Sequence, residues 1–277
     1  MPELPEVETV RRGLNQLTLN QGITGGDVLL QRTIAYPASI QKFIENIKTS
    51  SIKSWHRRGK YLLAELSPSS WLGVHLRMTG QLLWLNQDEP LHKHTRVRLF
   101  FADNHELRFV DQRTFGQMWY VPGNVPVESI ITGLAKLAVD PFSPEFTVEY
   151  LANKLQKSRR PIKTALLDQS IVAGLGNIYA DEALFKSGIL PTTICTELDQ
   201  KQIAPLRTAI IDVLSASIAV GGTTFSNFLN VKGVNGNYGG EAWVYNRAGE
   251  PCKVCGNVIQ RIKLGGRSSH FCSECQS

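Results

Sequence analysis

Four of the five cysteines form two Cys-x2-Cys pairs, Cys252/Cys255 and Cys272/Cys275, with sixteen residues between them. That spacing places two thiolates on each of two turns, which is the donor set of a tetrahedral four-sulfur zinc site. So short a segment has too little apolar surface to fold unaided, and the metal substitutes for a core. Four thiolates leave no coordination position for water, so the expected zinc, one ion, is structural and not catalytic. Between the pairs, Ile259 to Phe271 alternates as a hairpin does, with Gly265-Gly266 at the tip and Arg267 beside it. Arg267 reads either as a solvated surface charge or as a phosphate contact.

The chain has 277 residues, enough for two domains and a small appendage. Thirty Lys and Arg against 24 Asp and Glu give +6, which favours a polyanionic partner without identifying it. The length and the odd cysteine count argue against a secreted disulfide scaffold, and Cys195, apart from the others, reads as a buried, inert thiol. No run approaches the roughly 18 apolar residues of a membrane span, and the opening Met1-Pro2-Glu3-Leu4-Pro5-Glu6 is acidic where a signal peptide is basic. A soluble, cytoplasmic protein is expected, with no membrane association.

Val7, Val10, Leu14 and Leu17 recur at helical spacing, with Pro5 and two glutamates suiting the first turn. From about Ile23 to Val121 short alternating runs and turn clusters take over, predicting an antiparallel β-sandwich or barrel behind one N-terminal helix. Asp140-Pro141-Phe142-Ser143-Pro144 punctuates the chain. Helical periodicity then predicts helices over about 147–158, 161–170, 177–187 and 199–219, before a glycine-rich stretch over 221–240. The resulting division is an α+β, multidomain chain: 1–132 a β-sandwich domain, 133–146 a linker, 147–242 a helical domain carrying the 221–240 loop, and 243–277 a zinc finger.

Two further motifs carry chemistry. Ile171-Val172-Ala173-Gly174-Leu175-Gly176-Asn177-Ile178-Tyr179-Ala180-Asp181-Glu182 joins two short helices by a glycine turn. Asn177 stands where the second helix begins, and free backbone N–H groups there suit a phosphate. At the terminus, methionine before proline is normally trimmed, leaving Pro2 as a secondary amine. Such an amine, with a reference pKa of about 8, is partly unprotonated at neutral pH and is a competent nucleophile. Glu3 and Glu6 offer carboxylates for acid and base work beside it, or only charge at a helix start. Arg57-Arg58-Gly59-Lys60 reads as a phosphate contact or a basic edge. In His75-Leu76-Arg77-Met78-Thr79-Gly80 and Asp111-Gln112-Arg113-Thr114-Phe115-Gly116, Met78 and Phe115 suit core packing as well as any other task.

Together, the Met1 to Val10 segment, the Gly174 to Glu182 stretch and the terminal cysteines resemble the bacterial formamidopyrimidine-DNA glycosylases along the whole chain. The resemblance implies a β-sandwich with an N-terminal helix, a helix–two-turn–helix domain and a zinc-finger hairpin, acting on damaged double-stranded DNA. It implies removal of oxidised purines through a Schiff base on Pro2, then β- and δ-elimination, by a monomer with no nucleotide cofactor. By the same resemblance Glu3 is the acid/base, Glu6 supports the helix and site, and Lys60, Asn177 and Arg267 bind phosphates. Met78, Arg113 and Phe115 fill the space vacated by the extruded nucleotide, Phe115 as a wedge and Arg113 facing the orphaned cytosine. His94 is carried over as a DNA contact, and the 221–240 stretch matches a lid.

Where many members have Lys-His-Asp-His, this chain has Lys93-His94-Thr95-Arg96, which alters contacts at a strand end. The endonuclease VIII type, which favours oxidised pyrimidines, shares the proline, the two-turn motif and the finger. Leu4, the Arg113-x-Phe115 pair and the long lid favour the purine enzyme. A non-catalytic zinc-finger DNA-binding protein would account for charge and cysteines, but gives no reason for Pro2-Glu3.

Overall fold

The first apolar stripe forms helix α1, Leu4–Leu17, with Val7, Val10 and Leu14 buried on one face. Its start is fixed by a capping-box bond in which the Glu3 N–H donates to Glu6 Oε2 at 2.8 Å. The computed structural model describes residues 1–223 and 229–277. Two units pack separately: Met1–Ala135 with Gly221–Gly236, and Lys136–Val220 with Asn237–Ser277.

In the first unit, β1 (Ile23–Val28), β6 (Gly80–Asn86), β7 (Thr95–Phe101) and β8 (His105–Asp111) form one antiparallel sheet in the order β1-β7-β8-β6. The second sheet has the order β2-β9-β5-β4-β3, from β2 (Ile34–Tyr36), β3 (Ile52–Arg58), β4 (Tyr61–Leu66), β5 (Ser70–His75) and β9 (Gln117–Pro122). Strand β7 shows the period of two that the sequence displays: Thr95, Val97, Leu99 and Phe101 are buried and the residues between them are not. One apolar cluster joins both sheets to α1, with Leu82, Leu99 and Phe109 from one sheet, Trp55, Leu72 and Val74 from the other, and Val7, Val10 and Leu14 from the helix.

The unit departs from a purely antiparallel sandwich in two places. Strand β2 pairs β9 in parallel. Helix α2 (Ile40–Ile47) interrupts the strand-rich region: Ser39 accepts from the Lys42 N–H, and Phe43 and Ile47 are buried. A short α3 (Val127–Ile130) follows β9.

Edge strand β3 is covered by α1 through side chains. Asn15 donates Nδ2 to the Trp55 carbonyl at 2.9 Å and accepts the Trp55 N–H at 2.8 Å. The Trp55 indole donates to Thr18 Oγ1 at 2.9 Å. An exposed edge is a template for unwanted pairing, and here one amide satisfies both backbone groups. Glu8 adds charge to the same junction, bonding Arg11, Arg12 and, from β3, Arg57.

The second unit holds α4 (Val148–Leu155), α5 (Ile162–Leu166), α6 (Asn177–Lys186) and α7 (Gln200–Ala219), then the hairpin β10 (Gln260–Leu264) and β11 (Arg267–Phe271). By length and composition alone α7 could cross a membrane, but Ile203, Leu206, Ile210, Val213 and Leu214 are buried within the protein. The chain packs differently from the expected domain division over 221–240. Gly221–Gly236 belongs to the first unit, because Val231 lies in its core cluster and its carbonyl accepts the Trp84 N–H at 2.9 Å. Of that expected lid, residues 224–228 lie outside the described residues.

Two outcomes are expected. Asn15→Ala leaves the Trp55 N–H without its partner and its carbonyl with only the Arg11 Nη1 bond at 3.4 Å, so urea unfolding should show a loss of about 1–3 kcal/mol with an unchanged m-value. Burial raises the Glu8 pKa, but bonds from Arg11 and Arg12 and the charges of Arg11 and Arg57 outweigh it and hold the carboxyl at about 2. A depressed carboxylate contributes stability above its unfolded pKa and loses it as the pH falls toward the folded one. Melting temperature should therefore drop between pH 4.5 and 2, and Glu8→Gln should flatten that part of the profile.

Candidate active site and nucleic-acid interface

The capping bond that starts α1 also fixes the chain terminus. Pro2, Glu3 and Glu6 are all buried, with Glu3 2% exposed and Glu6 fully covered. Glu6 Oε2 takes the Glu3 N–H, and Oε1 takes the Thr223 N–H at 2.9 Å, tying the terminus to the 221–236 segment of the same unit. With Met1 in place the free amine is that of Met1, and its pKa lies below the ordinary value. Burial is the main cause, Lys60 and Arg113 push the same way, and Glu3 and Glu6 oppose them. An amine exposed here by trimming would be biased toward its neutral, nucleophilic form.

Pro2 lines a cavity of about 490 Å³ that it shares with Met78, Thr79, His92, Lys93, His94 and Asn235. Met78 also borders a second cavity, of about 510 Å³, with Arg32, Arg77 and Phe115. Lys60 is 7% exposed and follows Gly59 in the two-residue turn joining β3 to β4, where Gly59 has φ 55°. Phe115 is 51% exposed, which rules out core packing for it, and the Arg113 guanidinium lies over its ring at 5.1 Å from the centroid. Thus Pro2, Glu3, Glu6, Lys60, Met78, His94, Arg113 and Phe115 all belong to the first unit, and Pro2, Met78 and His94 share one cavity.

His75 is a member of this neighbourhood that carried no assignment from the sequence. It is buried at the end of β5, its ring meets Tyr61 edge-on at 4.4 Å, and its Nδ1 accepts the Arg77 N–H at 3.0 Å. Burial, then Arg77 and Lys60, pushes its pKa down to about 3, so it is a neutral imidazole at physiological pH. The altered strand end is built from this chain's own residues: Arg96 donates Nε to the Asp111 carbonyl at 2.8 Å and Nη2 to His94 Nδ1 at 3.2 Å.

The second unit brings Asn177 and Arg267 onto neighbouring elements. Asn177 opens α6 after the turn at Gly174, which has φ 86°. Its Nδ2 donates to the carbonyl of Ser268, the residue after Arg267, at 3.1 Å. Its Oδ1 is buried with no partner among the described residues. Arg267 is exposed at the start of β11, where Gly265 and Gly266, with φ 53° and 78°, make the hairpin turn.

The acidic pair that ends the two-turn motif proves structural. Asp181 is fully buried against Lys163, and its Oδ2 accepts both the backbone N–H and ring Nδ1 of His270 at 3.0 Å. Glu182 accepts the backbone N–H groups of Trp243, Val244 and Tyr245 at 2.8 to 3.0 Å. Together they fasten the cysteine-bearing segment to α6. The only sequence signal was two adjacent acids on an otherwise apolar helix.

Cys252, Cys255, Cys272 and Cys275 have their sulfurs within 4.8 Å of one another, with Cys252–Cys275 at 3.8 Å and Cys255–Cys272 at 3.4 Å. A tetrahedron with zinc–sulfur bonds of about 2.3 Å has edges of about 3.8 Å, so these donors fit one zinc ion.

The architecture is that of a DNA glycosylase with a helix–two-turn–helix domain and a zinc finger. Residues 1–118 match the formamidopyrimidine-DNA glycosylase N-terminal domain, 137–228 the formamidopyrimidine-DNA glycosylase H2TH domain, and 249–277 the zinc finger found in FPG and IleRS. The chain is 80% identical to the formamidopyrimidine-DNA glycosylase of a Nostoc species, with 100% of both chains covered. It is 35% identical to Lactococcus lactis Fpg solved with N7-benzyl-Fapy-dG DNA, covering 100% of each chain with a TM-score of 0.91. A structure of the same Lactococcus protein with abasic-site DNA matches at 35% identity, 99% coverage of each chain and TM-score 0.91. The chain belongs to the formamidopyrimidine-DNA glycosylase family, and neither the endonuclease VIII type nor a non-catalytic zinc-finger protein remains as a reading.

The docking of the finger yields a test. Glu182→Gln offers one acceptor oxygen and an amide N–H to a row of backbone donors, so the variant should lose roughly 2 kcal/mol in urea unfolding. Metal analysis should still find one zinc in that variant, whereas Cys255→Ser should lose the metal.

Proposed function

We propose that the chain excises oxidised purines such as 8-oxoguanine and formamidopyrimidines from duplex DNA, then cuts the strand, with its residues in the following roles. The observation that carries the reading is a buried Pro2-Glu3 terminus opening onto a cavity in a member of this family. After Met1 is removed, the Pro2 lone pair forms a bond to C1′ as the bond from C1′ to the base breaks and its electrons leave with the base. Glu3 moves the proton that opens the sugar ring, giving a Schiff base. β-Elimination breaks the bond to the 3′ phosphate and δ-elimination the bond to the 5′ phosphate, leaving a one-nucleotide gap.

The target must leave the stack before its sugar carbon can be reached. Lys60, Asn177 and Arg267 hold backbone phosphates around it, and the buried Asn177 Oδ1 and exposed Arg267 sit beside one another for that task. Met78, Arg113 and Phe115 occupy the vacated space, a reading supported by the exposure of Phe115 and its stacking with Arg113. His94 contacts DNA from the cavity wall, and the 221–240 segment closes over the base. The zinc keeps the finger folded. The enzyme acts as a monomer without a nucleotide cofactor, in a bacterial cytoplasm, in keeping with its bacterial relatives.

Borohydride should trap a covalent complex with 8-oxoguanine duplex, the cross-link lying on Pro2. A retained Met1 or N-terminal tag turns that amine into an amide, so trapping and cleavage should vanish while binding persists. Glu3→Gln should bind but lose about 10²–10⁴-fold in base removal, since an amide cannot deliver the proton. Full cleavage by protein that mass spectrometry shows to be tagged would overturn the mechanism and turn attention to Lys60.

A further inference from the structure

The loop bearing Arg113 and Phe115 is held by one side chain at its root. Asp111, 1% exposed, ends β8, and both of its carboxylate oxygens are engaged. Oδ2 accepts the Gly116 N–H at 2.7 Å, closing the loop, and Oδ1 accepts the Thr79 hydroxyl at 2.5 Å. The same hydroxyl oxygen accepts the Arg113 N–H at 2.9 Å. A head-to-tail chain thus runs from the Arg113 N–H through the Thr79 hydroxyl to the carboxylate, each bond polarising the next, and the Gly116 N–H donates into the same carboxylate from the other side.

The surroundings leave this loop one seat. Thr114 has φ 58°, a conformation that needs local support in a β-branched residue. A Cβ on Gly116 would lie 2.4 Å from Phe109 Cζ, and one on Gly80 2.9 Å from the same atom and 2.4 Å from the Leu76 carbonyl. Glycine at both positions lets the loop and the start of β6 settle on one aromatic ring. Thr79 is also the immediate neighbour of Met78, so one hydroxyl links the segment carrying Met78 to the loop carrying Arg113 and Phe115.

We propose that Thr79 and Asp111 are positioning residues that preset the void-filling loop before DNA arrives, and that they thereby set discrimination at the base opposite the lesion. The inference rests on reading Arg113 and Phe115 as void fillers. A guanidinium discriminates between a donor edge and an acceptor edge only if its backbone cannot shift to suit either. A loop ordered in advance also spares the binding step the entropy of ordering it. Loosening the staple should therefore lower selectivity, by letting Arg113 adapt to the wrong base, as well as slowing insertion.

The test compares Thr79→Val, which keeps shape and removes the hydroxyl, with Thr79→Ser, which keeps the hydroxyl. Single-turnover excision of 8-oxoguanine is measured opposite cytosine and opposite adenine, and the ratio within each variant cancels any general loss of activity. Insertion is followed by the fluorescence of 2-aminopurine beside the orphaned base in a tetrahydrofuran duplex. Thr79→Val should lower the cytosine-to-adenine ratio by roughly threefold to tenfold, the worth of a buried hydrogen bond or two, and slow the fluorescence rise. Thr79→Ser should stay within about twofold of the parent on both measures. An unchanged ratio in Thr79→Val overturns the proposal, and so does an equal fall in Thr79→Ser, which would make the methyl group and not the hydroxyl the active feature. Arg113→Ala and Phe115→Ala serve as references. If they leave both readouts unchanged, the void-filling assignment fails and the inference with it; if they respond and Thr79→Val does not, the inference alone fails.

Discussion

The Glu6 carboxylate is completely buried, and each of its oxygens receives a backbone N–H, one from Glu3 and one from Thr223. A carboxylate taken from water without such partners would cost several kcal/mol, so the site is stable only while both segments stay in place. The start of α1 helps, because its unpaired N–H groups and the helix dipole favour negative charge. One side chain therefore ties the orientation of Pro2-Glu3 to the return of the chain at Gly221–Gly236, which Val231 anchors separately in the core. It also keeps Pro2 and Glu3 buried, where most chain ends lie exposed.

The second unit uses the same physics at another place. Zinc closes the finger on itself, but four thiolates attach nothing to α6. That task falls to Asp181 and Glu182, whose oxygens collect backbone N–H groups from Trp243 to Tyr245 and from His270. Burial raises the Glu182 pKa, and the bonds from those N–H groups work against it. Apolar contact between Phe185 on α6 and Val244, Cys252 and Ile259 fills the remaining space. The Asn177–Ser268 bond then sets the start of α6 beside Arg267, so the buried acids and this bond together fix the buried Asn177 Oδ1 next to the exposed Arg267.

What the sequence made legible was local. The cysteine spacing dictates a metal site whatever surrounds it, the terminal Pro2-Glu3 needs no tertiary contact to be noticed, and the alternation of β7 states which of its faces is buried. Helix α2 was legible in principle, since Ser39 followed by Ile40, Phe43, Ile44 and Ile47 is a cap and an apolar stripe, but strand signals on both sides masked it. The rest depended on partners far along the chain. Nothing near Glu182 announces Trp243, nothing near Asp111 announces Thr79, and only Val231 reaching the core of the first unit shows where the glycine-rich segment belongs. Exposure decided Phe115, a residue whose type alone suited a core equally well.

The Thr95-Arg96 departure shows how a changed residue can refine a site without altering its chemistry. Arg96 has only donors, so the His94 Nδ1 it meets must be an acceptor and the proton of the neutral ring must lie on Nε2. Loss of solvent, together with the charges of Lys93, Arg96 and His92, holds the His94 pKa below its ordinary value despite the opposing Asp111. The imidazole is thus presented in one tautomer, uncharged, as an N–H donor beside the cavity that Pro2 lines. A second imidazole in place of Arg96 would be both donor and acceptor and would leave that tautomer open. Arg96 also grips the Asp111 carbonyl, so the residue that fixes the His94 proton braces the root of the loop bearing Arg113 and Phe115.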